Sequence, residues 1–317
     1  MNLNFLKNKK FMKILKIIGN ILMVISIIFI ILYFVNSDID FTVFLNWDIL
    51  AITLGMGLVV SSGIILLALA WRKNLQMFTQ KHLGIQEILV LYTRSNLARY
   101  IPGNVMHIAS RNILGSEYEL SQKNMVVSSG LEILLQILVT LALIFIMVAD
   151  TLENTIRKAV EDGMIRYEFL ILIAVGICAI VVAAIFFFIK RKNTITLRPA
   201  KMLISAGYYA GFCLINAFAF VMLIAVYEHG LSGYNILSLG GYYLLAWLLG
   251  LITPGAPGGL GIREYVLLML FTPIFPRNDM LVIIVIMRVI TVLGDIFAYL
   301  VGLIIKSRMR KKDMSYE

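Results

Sequence analysis

Thr253-Pro254-Gly255-Ala256-Pro257-Gly258-Gly259-Leu260-Gly261-Ile262-Arg263-Glu264 lies between two apolar runs, residues 234–252 and 265–271. Backbone this rich in glycine and proline cannot hold a helix. In hydrocarbon, unpaired peptide groups are tolerated only where protein or a watery cavity surrounds them. Two apolar segments meeting at a broken, charged turn therefore point to a binding site of the transporter kind. A single Pro-Gly reads more simply as an ordinary tight turn between helices, but the run of glycines beside Arg263-Glu264 favours the broken hairpin. A smaller version occurs earlier, at Arg99-Tyr100-Ile101-Pro102-Gly103-Asn104, again between apolar stretches and beside an arginine. The rest of the chain reads as a scaffold for these two breaks.

Composition fixes the class. The 317 residues are 60% hydrophobic and only 15% charged, against ~25% charged in soluble domains. Apolar stretches repeatedly reach the ~20 residues that cross a bilayer. The chain is expected to be an all-α polytopic membrane protein, one integral membrane domain over 1–317. The net charge of +10 does not imply nucleic acid, because the basic residues cluster beside apolar spans, as membrane orientation and anionic lipid surfaces require. Cys178 and Cys213 both fall inside expected spans and read as small core residues. His82, His107 and His229 have no ligand spacing, so neither a metal nor a cofactor is expected. The N-terminal run, residues 14–35, follows several lysines but is too long for a signal core and lacks a cleavage site, so it is expected to be a retained first span.

Flanking charges orient the spans. Span one (14–35) leads to a short acidic loop, and span two (49–71) ends at Arg72, Lys73 and Lys81. The first break lies in the hairpin region 83–123, whose arms are each too short to cross. It reads equally as a hairpin dipping in from the cytoplasmic side or as helices lying on the membrane surface. Span three (125–149) carries Glu132 with Gln136 one turn along. The next loop, 150–168, holds five acids and three bases, a balance of −2 (3 − 5), and is expected outside. Span four (169–189) stops at Lys190-Arg191-Lys192, a strongly basic loop and hence cytoplasmic. Span five (202–227) carries Gly207 and Gly211 at a spacing suited to close helix approach. The second hairpin region is 234–275. The last span (280–305) is closed by the basic tail 306–317. Both termini are then cytoplasmic and the crossings even in number. Six spans with two re-entrant hairpins satisfy the charges as well as eight spans do. In the six-span version, span two through span three and span five through the last span have opposite orientations, the plan of an inverted repeat.

Ionisable groups inside spans are costly unless paired or solvated, which makes them functional suspects. Glu132, Arg263, Glu264, Arg288 and Asp295 are these groups, with Arg94, Arg99 and Arg111 around the first break. A lattice of ion pairs that fixes helix packing would account for any one of them. Arginine also binds phosphate bidentately through its planar fork, and helix N-termini after both breaks would add backbone donors. Arg99, Arg111, Arg263 and Arg288 are therefore candidate ligand-binding residues, with Glu132, Glu264 and Asp295 as charge partners. Pro102, Gly103, Pro254, Gly255, Pro257, Gly258, Gly259 and Gly261 make the breaks. The natural ligand is a phospholipid or lipid-linked sugar. Gly258-Gly259-Leu260-Gly261 is no nucleotide fingerprint, since no strand precedes it, and no catalytic residue is assigned.

The two motifs, Arg99 to Asn104 followed by Arg111, and Pro254 through Glu264, resemble the signatures of the lysylphosphatidylglycerol synthase transmembrane-region family over nearly the whole chain. That resemblance implies a lipid flippase of the cytoplasmic membrane. In the family's full-length members this region is joined to a cytoplasmic domain that transfers lysine from transfer RNA to phosphatidylglycerol. Other members stand alone or accompany glycosyltransferases using lipid-linked sugars. With Glu317 only twelve residues beyond the last span at 305 (317 − 305), the transferase domain is expected to be absent. The resemblance thus implies translocation or presentation of an anionic headgroup, or a membrane component serving a separate transferase or glycosyltransferase.

Overall fold

The structure, a computed structural model, describes residues 42, 45–79, 81, 83–100, 106–162, 198–253, 257–259 and 261–313. Spans one and four, Cys178, the basic run at 190–192, and Pro102, Gly103, Pro254 and Gly255 lie outside these residues. Eight helices occur in the order α1 (Trp47–Leu75), α2 (Ile85–Asn96), α3 (Met106–Ser116), α4 (Gln122–Asp162), α5 (Pro199–Tyr227), α6 (Ile236–Ile252), α7 (Ile262–Phe271) and α8 (Arg277–Asp313), with 3-10 turns at Leu97–Tyr100 and Pro257–Gly259, among the described residues. No strand occurs among the described residues.

Local chemistry sets the helix limits. Asn46 caps α1 by accepting the Asp48 amide at 2.8 Å, and Arg72 and Lys73 stand in its last turn, where cations favour the helix dipole. Asn235 caps α6 in the same way. That helix stops at Ile252, because a residue preceding proline is driven out of the helical region. The α4 helix runs on to Asp162, past the expected end of span three at Ala149. The loop expected from Asp150 is helical in its first thirteen residues (162 − 150 + 1), for 150–162 has no proline or glycine. The basic tail is likewise helical as far as Asp313.

Among the described residues, four helices are long and apolar enough to cross a membrane: α1, α4 over Gln122–Ala149, α5, and α8 over Arg277–Arg310. Their outer faces stay apolar. Leu50, Leu54 and Leu58 on α1, Leu214 and Phe218 on α5, and Leu300, Leu303 and Ile304 on α8 are exposed. A helix apolar on both its packed and its open face suits lipid rather than water. The architecture is that of a helical membrane protein.

The helices pack in a regular scheme. α1 lies along α5, and a Cβ on Gly211 would come within 2.8 Å of Leu66. Gly207 faces open space, so only one of that expected glycine pair serves a close approach. Against α8, α1 places Gly57 beside Leu293, while Gly294 abuts Val60. The contacts of α1 with α2, α2 with α3, α3 with α4 and α1 with α4 recur as α5 with α6, α6 with α7, α7 with α8 and α5 with α8. Between the halves, α4 against α6 is matched by α8 against α2, and α8 against α1 by α4 against α5. The two 3-10 turns, one after α2 and one before α7, touch each other.

Candidate functional site

Where the turns meet, a cavity of about 230 Å³ opens between the long helices. It lies at their mid-height. Asp295, on its wall, is 18 residues from each end of α8 (295 − 277 and 313 − 295), or ~27 Å at 1.5 Å per residue. Val60, on the α1 wall, is 13 residues from one end and 15 from the other (60 − 47 and 75 − 60). Arg99, Glu132, Gly258, Gly259, Arg263, Arg288 and Asp295 all line this one space. Arg99 and Arg263, 164 positions apart (263 − 99), thus face the same cavity.

Each charged group is held differently. Asp295 is buried and gathers the first break: Asn96 Nδ2 donates to its Oδ1 at 2.6 Å, Tyr100 Oη donates to Oδ2 at 2.5 Å, and Arg99 Nη1 stands 3.7 Å from Oδ2. Arg99 also donates to Asn96 Oδ1. Arg263, buried, donates to the Tyr243 hydroxyl, and its guanidinium carbon lies 4.7 Å from that ring's centre. Arg288 donates to the Gly258 carbonyl at 3.2 Å. Neither Arg263 nor Arg288 has a carboxylate within ion-pair distance among the described residues. A guanidinium carries five N–H donors, so both retain donors for a cavity occupant.

Arg111 and Glu264 are engaged in local structure. Arg111 does not line the cavity. It is sealed at 1% exposure against Glu132, with Nη1 donating to Oε2 at 2.5 Å. The faces of Tyr92 and Trp71 cover its guanidinium at 4.0 and 4.9 Å, a favourable cation–π arrangement. Tyr92 Oη donates to the other Glu132 oxygen at 2.5 Å. This cluster binds α1, α2, α3 and α4 together, so Arg111 is a packing residue. Glu264 turns back to accept the Gly261 amide at 2.6 Å and so caps α7, where a carboxylate also meets the positive end of the helix. It remains near enough to act on Arg288 electrostatically.

The second break shapes the cavity as backbone. Gly259 has φ +76°, and a Cβ there would sit 3.1 Å from the Gly250 Cα. The Pro257–Gly259 turn can therefore lie directly on α6. Pro257 begins that turn, and Gly258 and Gly259 present it to the cavity. Neutral residues that charge-based reading passed over complete the walls: Tyr92, Tyr100, His107, Asn216 and Trp247. Gln136 stands one turn from Glu132 on α4 and lines the cavity beside it. Among the described residues no group of histidine, cysteine, aspartate and glutamate could hold a metal ion.

The charge balance is directional. Arg99, Arg111, Arg263 and Arg288 stand against Glu132, Glu264 and Asp295, an excess of one positive charge (4 − 3) even with the capping carboxylate counted. Such an arrangement can hold a monoanion, with hydrogen-bond donors on more than one wall. Compared with protein-family models, with curated proteins and with solved structures, the chain matches none of them.

Proposed function

We propose that this protein takes an anionic lipid headgroup into the mid-bundle cavity and moves it across the cytoplasmic membrane, or holds it for a partner enzyme. The observation that carries the reading is that Arg263 and Arg288 face one cavity without an ion-pair partner among the described residues. Unpaired arginines at this depth are costly, and a phosphate ester would neutralise and hydrogen-bond them. The size agrees with a headgroup. A cavity of about 230 Å³ has room for a phosphate-bearing headgroup, with the acyl chains left in the surrounding lipid.

The topology belongs to the same proposal. The α7 helix has 10 residues, ~15 Å, about half the ~30 Å hydrocarbon thickness. That favours six spans with two re-entrant hairpins over eight spans, both termini being cytoplasmic. The matched packing of α1–α4 and α5–α8 supports an inverted repeat with the two hairpin tips at its centre. The motif resemblance to the lysylphosphatidylglycerol synthase transmembrane region points the same way.

Reconstitution of the pure chain with headgroup-labelled lipids tests the function. Anionic phospholipid is expected to exchange between leaflets without chemical change, and a zwitterionic one to exchange far more slowly. A modified lipid product would mark an enzyme instead. Absence of exchange with stable co-purification of a transferase or glycosyltransferase would mark a membrane component.

A further inference from the structure

Arg111 and Arg99 each face a buried carboxylate, but on different terms. Arg111 is locked: 1% exposed and 2.5 Å from Glu132. Arg99 is loose: its side chain is 29% exposed in the cavity wall, and its nearest approach to Asp295 is 3.7 Å, beyond hydrogen-bond length. The Asp295 carboxylate does not depend on it. Asn96 and Tyr100, both neutral, each occupy one of its oxygens at 2.6 and 2.5 Å. Arg99's close contact is with the neutral Asn96 Oδ1. Asp295 would therefore stay hydrogen-bonded if Arg99 turned away, and Arg99 would leave no acid unsolvated.

We propose that Asp295 is an internal counter-anion that competes with the ligand for Arg99. This rests on the reading of the cavity as an anion site. With the cavity empty of lipid, Asp295 balances Arg99 at a distance. When an anionic headgroup enters between Arg263, Arg288 and Arg99, Arg99 turns to the phosphate, while Asn96 and Tyr100 keep the carboxylate in place. Arg99 returns to Asp295 as the headgroup leaves. A fixed negative charge beside an anion site weakens binding, and in a carrier it thereby speeds release, since very tight binding of the cargo slows turnover. Asp295 acts as a positioning residue, by setting what Arg99 is free to do.

The competition gives an unusual sign. Removing a buried carboxylate that merely holds helices together weakens everything, whereas removing a competitor tightens binding. The full chain, purified in detergent, is titrated with dihexanoyl phosphatidylglycerol, and thermal stability is recorded alongside. Asp295→Asn is expected to bind about tenfold more tightly, the scale of a charge interaction at several ångströms in a partly solvated site, and to exchange lipid more slowly in vesicles. Arg99→Gln is expected to bind more weakly, and in the Asp295→Asn/Arg99→Gln double variant the gain disappears. Tyr100→Phe, which takes a neutral donor from Asp295 and makes the carboxylate lean on Arg99, is expected to bind severalfold more weakly. Unchanged or weaker binding by a folded Asp295→Asn, or a gain that survives without Arg99, overturns the proposal. If Asp295→Asn does not fold, unchanged or tighter binding by Tyr100→Phe overturns it. Absence of binding by the wild-type chain is a different failure, and removes the anion-site reading together with the competition built on it.

Discussion

Arg111 and Arg263 are both buried arginines beside tyrosines, yet their partners differ. Arg111 has a carboxylate at 2.5 Å, and Arg263 has a hydroxyl and a ring. Breaking a buried pair strands a charge and costs about 3–5 kcal/mol, whereas replacing both members with apolar groups is often near neutral. Arg111→Met and Glu132→Leu are each expected to lower the thermal midpoint in detergent sharply, with most of the loss recovered in the double variant. Additive losses would refute the pairing. Arg263→Lys keeps the charge but loses the planar fork and its stacking on Tyr243, so lipid exchange is expected to fall about tenfold or more while yield and melting temperature hold. These different fates were only partly legible in the chain. Rare charges in apolar sequence marked Arg99, Glu132, Arg263, Arg288 and Asp295, and all five line one cavity. That Glu132 would claim Arg111, 21 positions away (132 − 111), depends on the rotation of α3 against α4, which no local pattern encodes. Asn96, Tyr100 and Tyr243 carry no charge and look like any polar or aromatic residue until a partner is seen.

At the scale of elements, the second break works because Pro257–Gly259 lies on α6 with almost no gap. Gly259→Ala would force a non-glycine residue to φ +76° and set its Cβ 3.1 Å from backbone. Strain of this kind costs ~1–3 kcal/mol, and the shifted turn would also move Gly258, to which Arg288 donates. Lower stability and weaker lipid binding are expected together. Gly55→Ala, in the middle of α1 with nothing within 4 Å, is the matched control. It is expected to be neutral or to stabilise by up to ~1 kcal/mol, and comparable losses at both glycines would contradict the close-packed turn. Glycine and proline announced this turn in the sequence because their backbone limits are local. The end of α4 was less legible, since the acidic stretch after Ala149 has the composition of a loop and also of an exposed helix. Acidic and basic side chains on good helix-forming backbone do not stop a helix, and 150–162 holds neither glycine nor proline.

For the whole molecule, the apolar spans and their flanking charges carried the membrane class, because bilayer thickness and charge asymmetry act on short windows of sequence. The matched packing of α1–α4 and α5–α8 was foreshadowed only by the flanking charges and the two Pro-Gly breaks, with no wider sequence identity between the halves, since packing requires shape and apolar character rather than identical residues. Single cysteines at the exposed positions Ser232 and Ser121 test the proposed orientation. In intact cells the Ser232→Cys variant is expected to react with an impermeant reagent and the Ser121→Cys variant to be protected; the reverse would invert the topology. The anion site itself is tested most directly by native mass spectrometry of the purified full chain in an equimolar mixture of anionic and zwitterionic phospholipids. One anionic lipid is expected to be retained, and to be lost when Arg263→Gln and Arg288→Gln are combined in a variant that still melts as the wild type does. Equal retention of the two lipid classes, or an anionic lipid retained undiminished by that double variant, would contradict the anion site.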